Sequence, residues 1–450
     1  MRVHFIAIGG SAMHNLAISL FNLGHKVSGS DDEIFEPSLS RLKEKNLSPK
    51  AYGWFPEKIT SDIDVVILGM HAKPDNPELL KAGEMGLKIV SYPEFLYQQS
   101  INKKRIVIGG SHGKTTITAM IMYVLSKLDY DFDYMVGSKI KGFDVMVRLS
   151  NAPIIILEGD EYLSSPIDRR PKFHWYKPHL AILTGIAWDH INVFPTFQNY
   201  SDQFLEFVNL MEDGSKLFYY EGDSILGDVV KNAKDSIDSR AYGSIDNEIV
   251  NGQTFLLDND LRIPLAVFGD HNMFNMNAAA LVCTELGVSK LDFINAIKTF
   301  DGASNRLELI NNSDNSYFYK DFAHAPSKVE ATVKAVRKQF VNKNFVACLE
   351  LHTFSSLNKD FLHQYEGVLD QVDKACVYFN PHALKMKRLP LLEKEDIYKA
   401  FKNNNIEVFN DSDELEKWLR KQNTNNDVYL LMTSGNFNGI NLEELAKHLV

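Results

Sequence analysis

Short runs of β-branched and aliphatic residues recur along the chain, each followed by a stretch with helical spacing. Val3–Ile8 is the first, and Asp64–Leu68 repeats the pattern. Arg105–Ile108 opens a second group, continued by Ile154–Leu157 and Ala181–Leu183. Phe345–Leu349, Ala375–Phe379 and Val428–Met432 form a third. Strands without polar alternation, interleaved with helices, predict parallel sheets covered on both faces. The chain therefore reads as α/β throughout. Three groups of strands predict three domains, at 1–100, 101–304 and 305–450. The first boundary falls at the polar stretch Gln99–Lys104 and the second near Phe300–Asn305. Asn311–Asn315 predicts a hairpin turn, and Gln422–Asp427 an exposed loop.

Composition narrows the class without fixing it. The 450 residues are 45% hydrophobic and 24% charged, as in ordinary globular chains. A net charge of −10 gives nucleic acid no general attraction. No run of about 18 apolar residues occurs, so no membrane span is expected. The three cysteines, Cys283, Cys348 and Cys376, lie in apolar stretches and read as buried thiols of a reducing cytoplasm.

The strongest chemical signal is Gly109-Gly110-Ser111-His112-Gly113-Lys114-Thr115-Thr116, placed between the strand Arg105–Ile108 and a helix from about Thr116 to Leu128. Glycines let backbone N–H groups turn inward toward phosphate oxygens, and the helix N-terminus adds partial positive charge. Lys114 can reach the β- and γ-phosphates of ATP, and the Thr115 hydroxyl can ligate Mg²⁺. The full P-loop pattern wants glycine where Ile108 stands, so the match is to the shorter core Gly-x-x-Gly-Lys-Thr. A plain glycine turn would not require Lys-Thr at the helix start.

At this loop the sequence resembles the Mur ligases, whose version usually reads Gly-Thr-His-Gly-Lys-Thr-Thr. The resemblance continues in order through Glu158-Gly159-Asp160-Glu161-Tyr162, Trp188-Asp189-His190, Gly269–Asn275, Asn305-Arg306-Leu307-Glu308 and Asp321–Pro326. It implies a Rossmann-like UDP-binding domain, a central P-loop ATPase-type domain and a Rossmann-like acceptor domain. It implies an ATP-dependent amide ligase with UDP-N-acetylmuramate as acyl donor, an amino acid or peptide as acceptor, and an acyl phosphate between them. A monomer or weak homodimer is expected.

Residue roles carry over position by position. Gly110, Ser111, His112, Gly113, Lys114, Thr115 and Thr116 would cradle ATP. Glu158 and His190 would join Thr115 in holding Mg²⁺, with Asp160 and Glu161 in support or merely solvated. Asn272 and Asn275, a helical turn apart, would meet adenine. Arg306 would clamp phosphate and Asp321 the ribose, with His324 near the substrate. Gly9, Gly10 and Ser11 would take the diphosphate of UDP, and Ser30 and Asp31 the uridine. Arg170 and Lys172 would also touch substrate, although Lys172–Lys177 reads equally as an amphipathic segment with buried rings.

Within the family, Glu158–Tyr162 followed by Asp168–Phe173, and Gly435–Ile440, resemble the peptide-recycling branch. Its members take the tripeptide L-alanyl-γ-D-glutamyl-meso-diaminopimelate. The alternative is the branch that adds L-alanine. A nucleotide-binding relative without catalysis is a third reading, kept open by Ala7, Ala12, Ala325 and Thr353, which replace family residues. A folylpolyglutamate-type ligase is disfavoured by the N-terminal domain. No lysine lies between Lys177 and Lys216, so the carbamylated lysine of many relatives is not expected. The segment Glu350–Ser356 lacks the arginine that relatives often use toward a peptide carboxylate.

Overall fold

The computed structural model describes residues 1–188, 193–303, 306–403 and 405–450. It divides into two compact units: Met1–Gly243 with Phe274–Ala296, and Ser244–Met273 with Ile297–Val450.

The first unit holds two sheets. β1 (Arg2–Ile6), β2 (Lys26–Ser30), β3 (Val65–Leu68) and β4 (Ile89–Ser91) form a parallel sheet ordered β2-β1-β3-β4. A second sheet follows from β5 (Lys104–Gly109), β6 (Asp133–Met135), β7 (Val147–Arg148), β8 (Ile154–Glu158), β9 (Leu180–Leu183), β10 (Lys216–Tyr220) and β11 (Asp238–Tyr242). Its order is β11-β10-β9-β5-β8-β6-β7, antiparallel only at β6–β7. Ile106, Val107 and Ile108 are fully buried, as expected of a central strand covered on both faces.

The polar stretch before β5 is pinned rather than loose. Lys103 Nζ donates to the carbonyls of Ser150 (2.8 Å) and Ala152 (2.7 Å) and pairs with Asp133 at 2.9 Å. Arg105, 1% exposed, donates to the carbonyls of Tyr176 (2.9 Å) and Ser100 (3.1 Å) and pairs with Glu212 at 2.7 Å. A guanidinium can be buried only when its donors are met. This one fixes the start of the strand that carries the phosphate loop.

The second unit begins with an antiparallel meander of β12 (Asn247–Val250), β13 (Gln253–Asp258) and β14 (Leu261–Pro264). Its main sheet contains β15 (Glu308–Asn312), β16 (Tyr317–Asp321), β17 (Asn344–Leu351), β18 (Lys374–Phe379), β19 (Ile406–Phe409) and β20 (Asp427–Met432). The order is β15-β16-β20-β17-β18-β19. The expected hairpin is β15–β16, the sheet's antiparallel pair. Helices Pro326–Gln339 and Lys394–Phe401 cover one face, with Leu357, Leu362 and Tyr365. Helices Ser412–Arg420 and Leu442–Leu449 cover the other. The chain leaving β17 therefore runs to one face and the chain leaving β20 to the other. Between them lies a switch point, the place where open α/β sheets form a crevice at their carboxyl ends.

All three cysteines are buried free thiols. Among the described residues no helix is long and apolar enough to cross a membrane.

Candidate active site

The phosphate loop is shaped by two left-handed glycines. Gly110 has φ +120° and Gly113 has φ +81°. A Cβ on Gly110 would stand 2.2 Å from Thr184 Oγ1 and 2.7 Å from Thr184 N. One on Gly113 would stand 2.4 Å from Asn275 Oδ1. Both positions need glycine for conformation and for space. The helix Lys114–Lys127 starts directly after Gly113, two residues earlier than expected, with no side-chain cap. Its first N–H groups are left for other partners. Ser111 braces the loop: its N–H donates to Gly185 O (2.9 Å), its hydroxyl donates to Ala187 O (2.9 Å), and that hydroxyl accepts from Ala187 N (2.7 Å). Thr184 Oγ1 donates to the carbonyl of His112.

Three carboxylates converge beside the loop. β8 ends at Glu158, whose Oε1 accepts from Thr115 Oγ1 and whose Oε2 accepts from Gly137 N, each at 2.8 Å. Lys114 Nζ donates to Gly110 O (2.5 Å) and to Glu161 Oε2 (2.9 Å). Tyr200 Oη donates to Glu161 Oε1 at 2.9 Å. Asp160 pairs with Lys172 at 2.5 Å. Burial works against the Lys114 charge, but Glu161, Asp160 and Glu158 override it and raise the ammonium's pKa. Burial also pushes Asp160 up, and Lys172 and Lys114 override that, bringing it down to about 2.

Of the two readings the sequence left open for Glu161, solvation falls away: the residue is 2% exposed and is the direct counter-ion of Lys114. Thr184 and Tyr200 were missed outright. The acidic run Glu158–Glu161 was a usable signal for Glu161; nothing local marked the other two.

Thr115 and Glu158 offer two hard oxygen donors 2.8 Å apart. No group of three His, Cys, Asp or Glu able to hold a metal occurs among the described residues. Such a pair fits Mg²⁺, which keeps most of its shell as water and phosphate oxygen. His190, the third expected ligand, lies outside the described residues.

The N-terminal loop follows the same logic in the first sheet. Ala7 has φ +68°, a costly state for a residue with Cβ, held by Ala7 N and Ile8 N donating to Ser30 O at 2.9 and 3.1 Å. Gly9 N donates to Asp31 Oδ2 at 2.6 Å, and a Cβ on Gly9 would meet Ile34 at 2.8 Å. Burial raises the Asp31 carboxyl, partly offset by the Gly9 N–H. Gly10 precedes the helix Ser11–Asn22 without a side-chain cap. Lys58 Nζ donates to Ser30 Oγ at 2.9 Å. These five predicted positions, Gly9, Gly10, Ser11, Ser30 and Asp31, thus meet at the carboxyl ends of β1 and β2.

Arg170 and Lys172 are already engaged. Arg170 pairs with Asp168 at 2.9 Å and lies 4.0 Å from the Trp175 ring centroid. It lines a cleft of about 600 Å³ with Arg169, His174 and Glu206. Lys172 opens the helix Lys172–Tyr176, whose Phe173 and Tyr176 are fully buried, the amphipathic segment expected.

In the second unit, Asp321 is 4% exposed and accepts from Leu307 N and Ala323 N, each at 2.7 Å. Burial raises its carboxyl, and Arg306 opposes that. Arg306 lies 5.1 Å from the Phe322 ring centroid. His324 Nδ1 and Phe322 O are 2.8 Å apart. Asn272 Nδ2 donates to Phe268 O at 2.8 Å, so its amide serves the helix entry. Asn272 and Asn275 sit on the helix Asp270–Glu285, in which the boundary between the two units falls.

Comparison with known proteins gives three matches in chain order. The Mur ligase family catalytic domain covers residues 2–104, the Mur ligase middle domain 108–283, and the Mur ligase glutamate ligase domain 305–435. A UDP-N-acetylmuramate–L-alanine ligase from Sulfurihydrogenibium is 28% identical over 100% of this chain and 98% of its own length. One from Persephonella marina is 30% identical over 78% of this chain and 76% of its own. Among solved structures, the UDP-N-acetylmuramate–alanine ligase of Thermotoga maritima matches with TM-score 0.70 at 20% identity, covering 100% of this chain and 98% of its own. A murein peptide ligase from Psychrobacter arcticus matches with TM-score 0.65 at 23% identity over the same shares.

Proposed function

The chain belongs to the Mur ligase family of ATP-dependent amide ligases, and from that premise we propose that it joins the carboxylate of UDP-N-acetylmuramate to the amine of L-alanine. The observation that carries the acceptor is the relatives: the matches spanning 100% and 78% of the chain are L-alanine ligases. This reverses the order drawn from the sequence, where the tripeptide came first. The tripeptide remains the second reading. It is favoured by the segment Glu158–Phe173 and by the murein peptide ligase among the structural neighbours.

Amide formation from a carboxylate needs an activated acyl group. ATP supplies it by phosphorylating the muramoyl carboxylate; the amine then displaces phosphate. Both steps gather negative charge on oxygen, so catalysis here is positioning and electrostatic clamping. The N–H groups of Gly110–Thr116 and the uncapped helix start bind the phosphates. Lys114, kept charged by Glu161, follows the transferred phosphoryl group. Thr115 and Glu158, with His190 by family resemblance, would hold Mg²⁺, which would supply neutralising charge at the phosphate oxygens. Asn275, beside Gly113, would meet the adenine, and Asn272, whose amide N–H is taken by Phe268 O, would hold the helix entry next to it. Arg306 clamps phosphate from a loop that Asp321 braces through Leu307 N. Gly9, Gly10, Ser11, Ser30 and Asp31 take the UDP moiety, with Arg170, Lys172 and His324 as further substrate contacts. The working parts are 1–100 for UDP, 101–304 for ATP and 305–450 for the acceptor.

The test is an acceptor panel with UDP-N-acetylmuramate, ATP and Mg²⁺. Phosphate release with L-alanine supports the first reading; release with the tripeptide alone moves the chain to the second. Release with neither leaves the non-catalytic reading.

A further inference from the structure

The donor loop Gly9–Ser11 and the phosphate loop Gly110–Thr116 belong to different sheets of the first unit, and one side chain spans the seam between those sheets. Asn15, in the second turn of the helix Ser11–Asn22, is fully buried. Its amide nitrogen donates to Ser11 O at 2.8 Å and to His14 Nε2 at 3.0 Å. Its amide oxygen accepts from Met146 N at 3.0 Å. Met146 directly precedes β7, and its carbonyl accepts at 3.0 Å from the N–H of Val136, the residue after β6. The next residue, Gly137, donates its N–H to Glu158 Oε2 at 2.8 Å. Hydrogen bonds and short stretches of backbone thus lead from the helix start at Ser11 to the carboxylate beside Thr115. A second tie runs alongside: Arg41 donates to Asp144 O at 2.8 Å.

Its partners fix the orientation of the Asn15 amide. A backbone N–H can meet only the amide oxygen and a carbonyl only the amide nitrogen, so a flipped amide would lose both bonds. His14 supports the same arrangement. Its Nδ1 lies 2.9 Å from Gly10 O and must carry the proton between them, which leaves Nε2 the lone pair that accepts from Asn15. Burial lowers the His14 pKa and Arg41 lowers it further, against the Gly10 carbonyl, so the ring stays neutral. A donor anchored at its diphosphate end must bring its carboxylate to the γ-phosphate of ATP. There a carboxylate oxygen bonds to the γ-phosphorus, the bond from phosphorus to the bridging oxygen breaks, and ADP leaves with that electron pair. The spacing of the two loops decides whether these atoms meet. We propose that Asn15 is a positioning residue for acyl-phosphate formation, setting the distance and angle between the donor loop and the phosphate loop. This role rests on the ligase reading. It runs through Ser11 O on one side and Met146 N on the other. UDP alone, or ADP alone, occupies one sheet and does not sense the seam; a donor reaching from one loop to the other does.

A split between binding and chemistry separates this role from plain support of the loop. N15A removes the tie but keeps the helix start, since Gly10 O still accepts from His14 N at 2.9 Å. The full chain is titrated with UDP alone and with ADP and Mg²⁺ alone. It is then assayed for ADP release with ATP, Mg²⁺, UDP-N-acetylmuramate and either L-alanine or the tripeptide. For N15A both dissociation constants should stay within about twofold of wild type while kcat falls by about 10–10²-fold, the loss expected of a misplacement near 1 Å. R41M cuts the second tie from a partly exposed position, so it folds even where N15A does not. Its kcat should fall by about three- to tenfold, with Tm and both dissociation constants unchanged. An unchanged kcat in both variants would overturn the proposal. So would affinities that fall in step with kcat, which would make Asn15 a prop of the donor loop alone. A wild type that releases ADP with neither acceptor sinks the ligase reading and this role with it; an active wild type with insensitive variants sinks this role alone.

Discussion

Replacing Lys114 by methionine should cost stability as well as activity, and the two losses can be separated. The Lys114 side chain is 16% exposed and that of Glu161 is 3% exposed, so this ion pair is largely out of water. Removing one partner of a buried pair leaves the other charge uncompensated, at about 3–5 kcal/mol. For a unit of this size that lowers Tm by about 6–10 °C. Asp160 has Lys172 as a second partner and should not add much. Glu161→Gln removes the orphaned charge and keeps an acceptor for Tyr200. Lys114→Met/Glu161→Gln should therefore recover to within about 1 kcal/mol of wild type, because a neutral pair of similar volume is often tolerated there. Phosphate release should stay abolished in both variants, since neither has a cation to follow the phosphoryl group. Thermal melts of wild type, both single variants and the double variant give the coupling energy. A coupling near zero would refute the pairing argument. Recovery of turnover in the double variant would refute the role of Lys114.

Three further outcomes follow from the same geometry. Gly110→Ala combines a left-handed φ with a Cβ 2.2 Å from Thr184 Oγ1, so it should lose about 2–5 kcal/mol and ATP turnover together, read by melting and ADP release. Glu158→Gln keeps the Thr115 and Gly137 hydrogen-bonding positions but removes the one anionic donor of the named set; ADP release should fall by about 10²–10³-fold with little change in Tm, and an unchanged rate would remove Glu158 from the site. Burial, helped by Arg306 and opposed by Asp270, pushes His271 down to about 4. A depressed folded value means its stabilising share is complete above the unfolded value near 6.5 and is lost as pH falls toward 4. His271→Gln should thus flatten the loss between pH 7.5 and 5 by about 2 kcal/mol in urea melts, and an unchanged slope would contradict it.

The parts of this protein that were legible in its sequence are those set by local pattern. Strands such as Ile106–Ile108 and Val428–Met432 are continuous apolar runs, and buried parallel strands require that. Gly110 and Gly113 announced the loop because only glycine supplies their φ. Side-chain partnerships set by strand register were not legible. Glu161 lies 47 residues from Lys114, Thr184 lies 72 from His112, and Thr433 lies 83 from Glu350. No periodicity joins such positions; the order β9-β5-β8 and the pairing of β17 with β20 bring them together. The polar stretch Gln99–Lys104 reads as a domain boundary; that Arg105 and Lys103 tie it down through carbonyls far along the chain was not legible, for the same reason.

Charge sharpens what the phosphate loop needs. Glu158, Asp160 and Glu161 bring three formal negative charges, and Lys114 and Lys172 bring two positive ones, a sum of −1 within one cluster. A triphosphate adds several more negative charges at the same helix start. Helix dipole and N–H groups amount to about half a charge, too little to balance that load. In the proposed ligase two partners would then be required: an ammonium turning from Glu161 toward phosphate, and a divalent cation on Thr115 and Glu158. The carboxylates that look repulsive to ATP keep Lys114 protonated in a buried place and would give such a cation its ligands. On that reading the acid cluster and the phosphate loop form one device, in which neither half would bind a nucleotide well without the other.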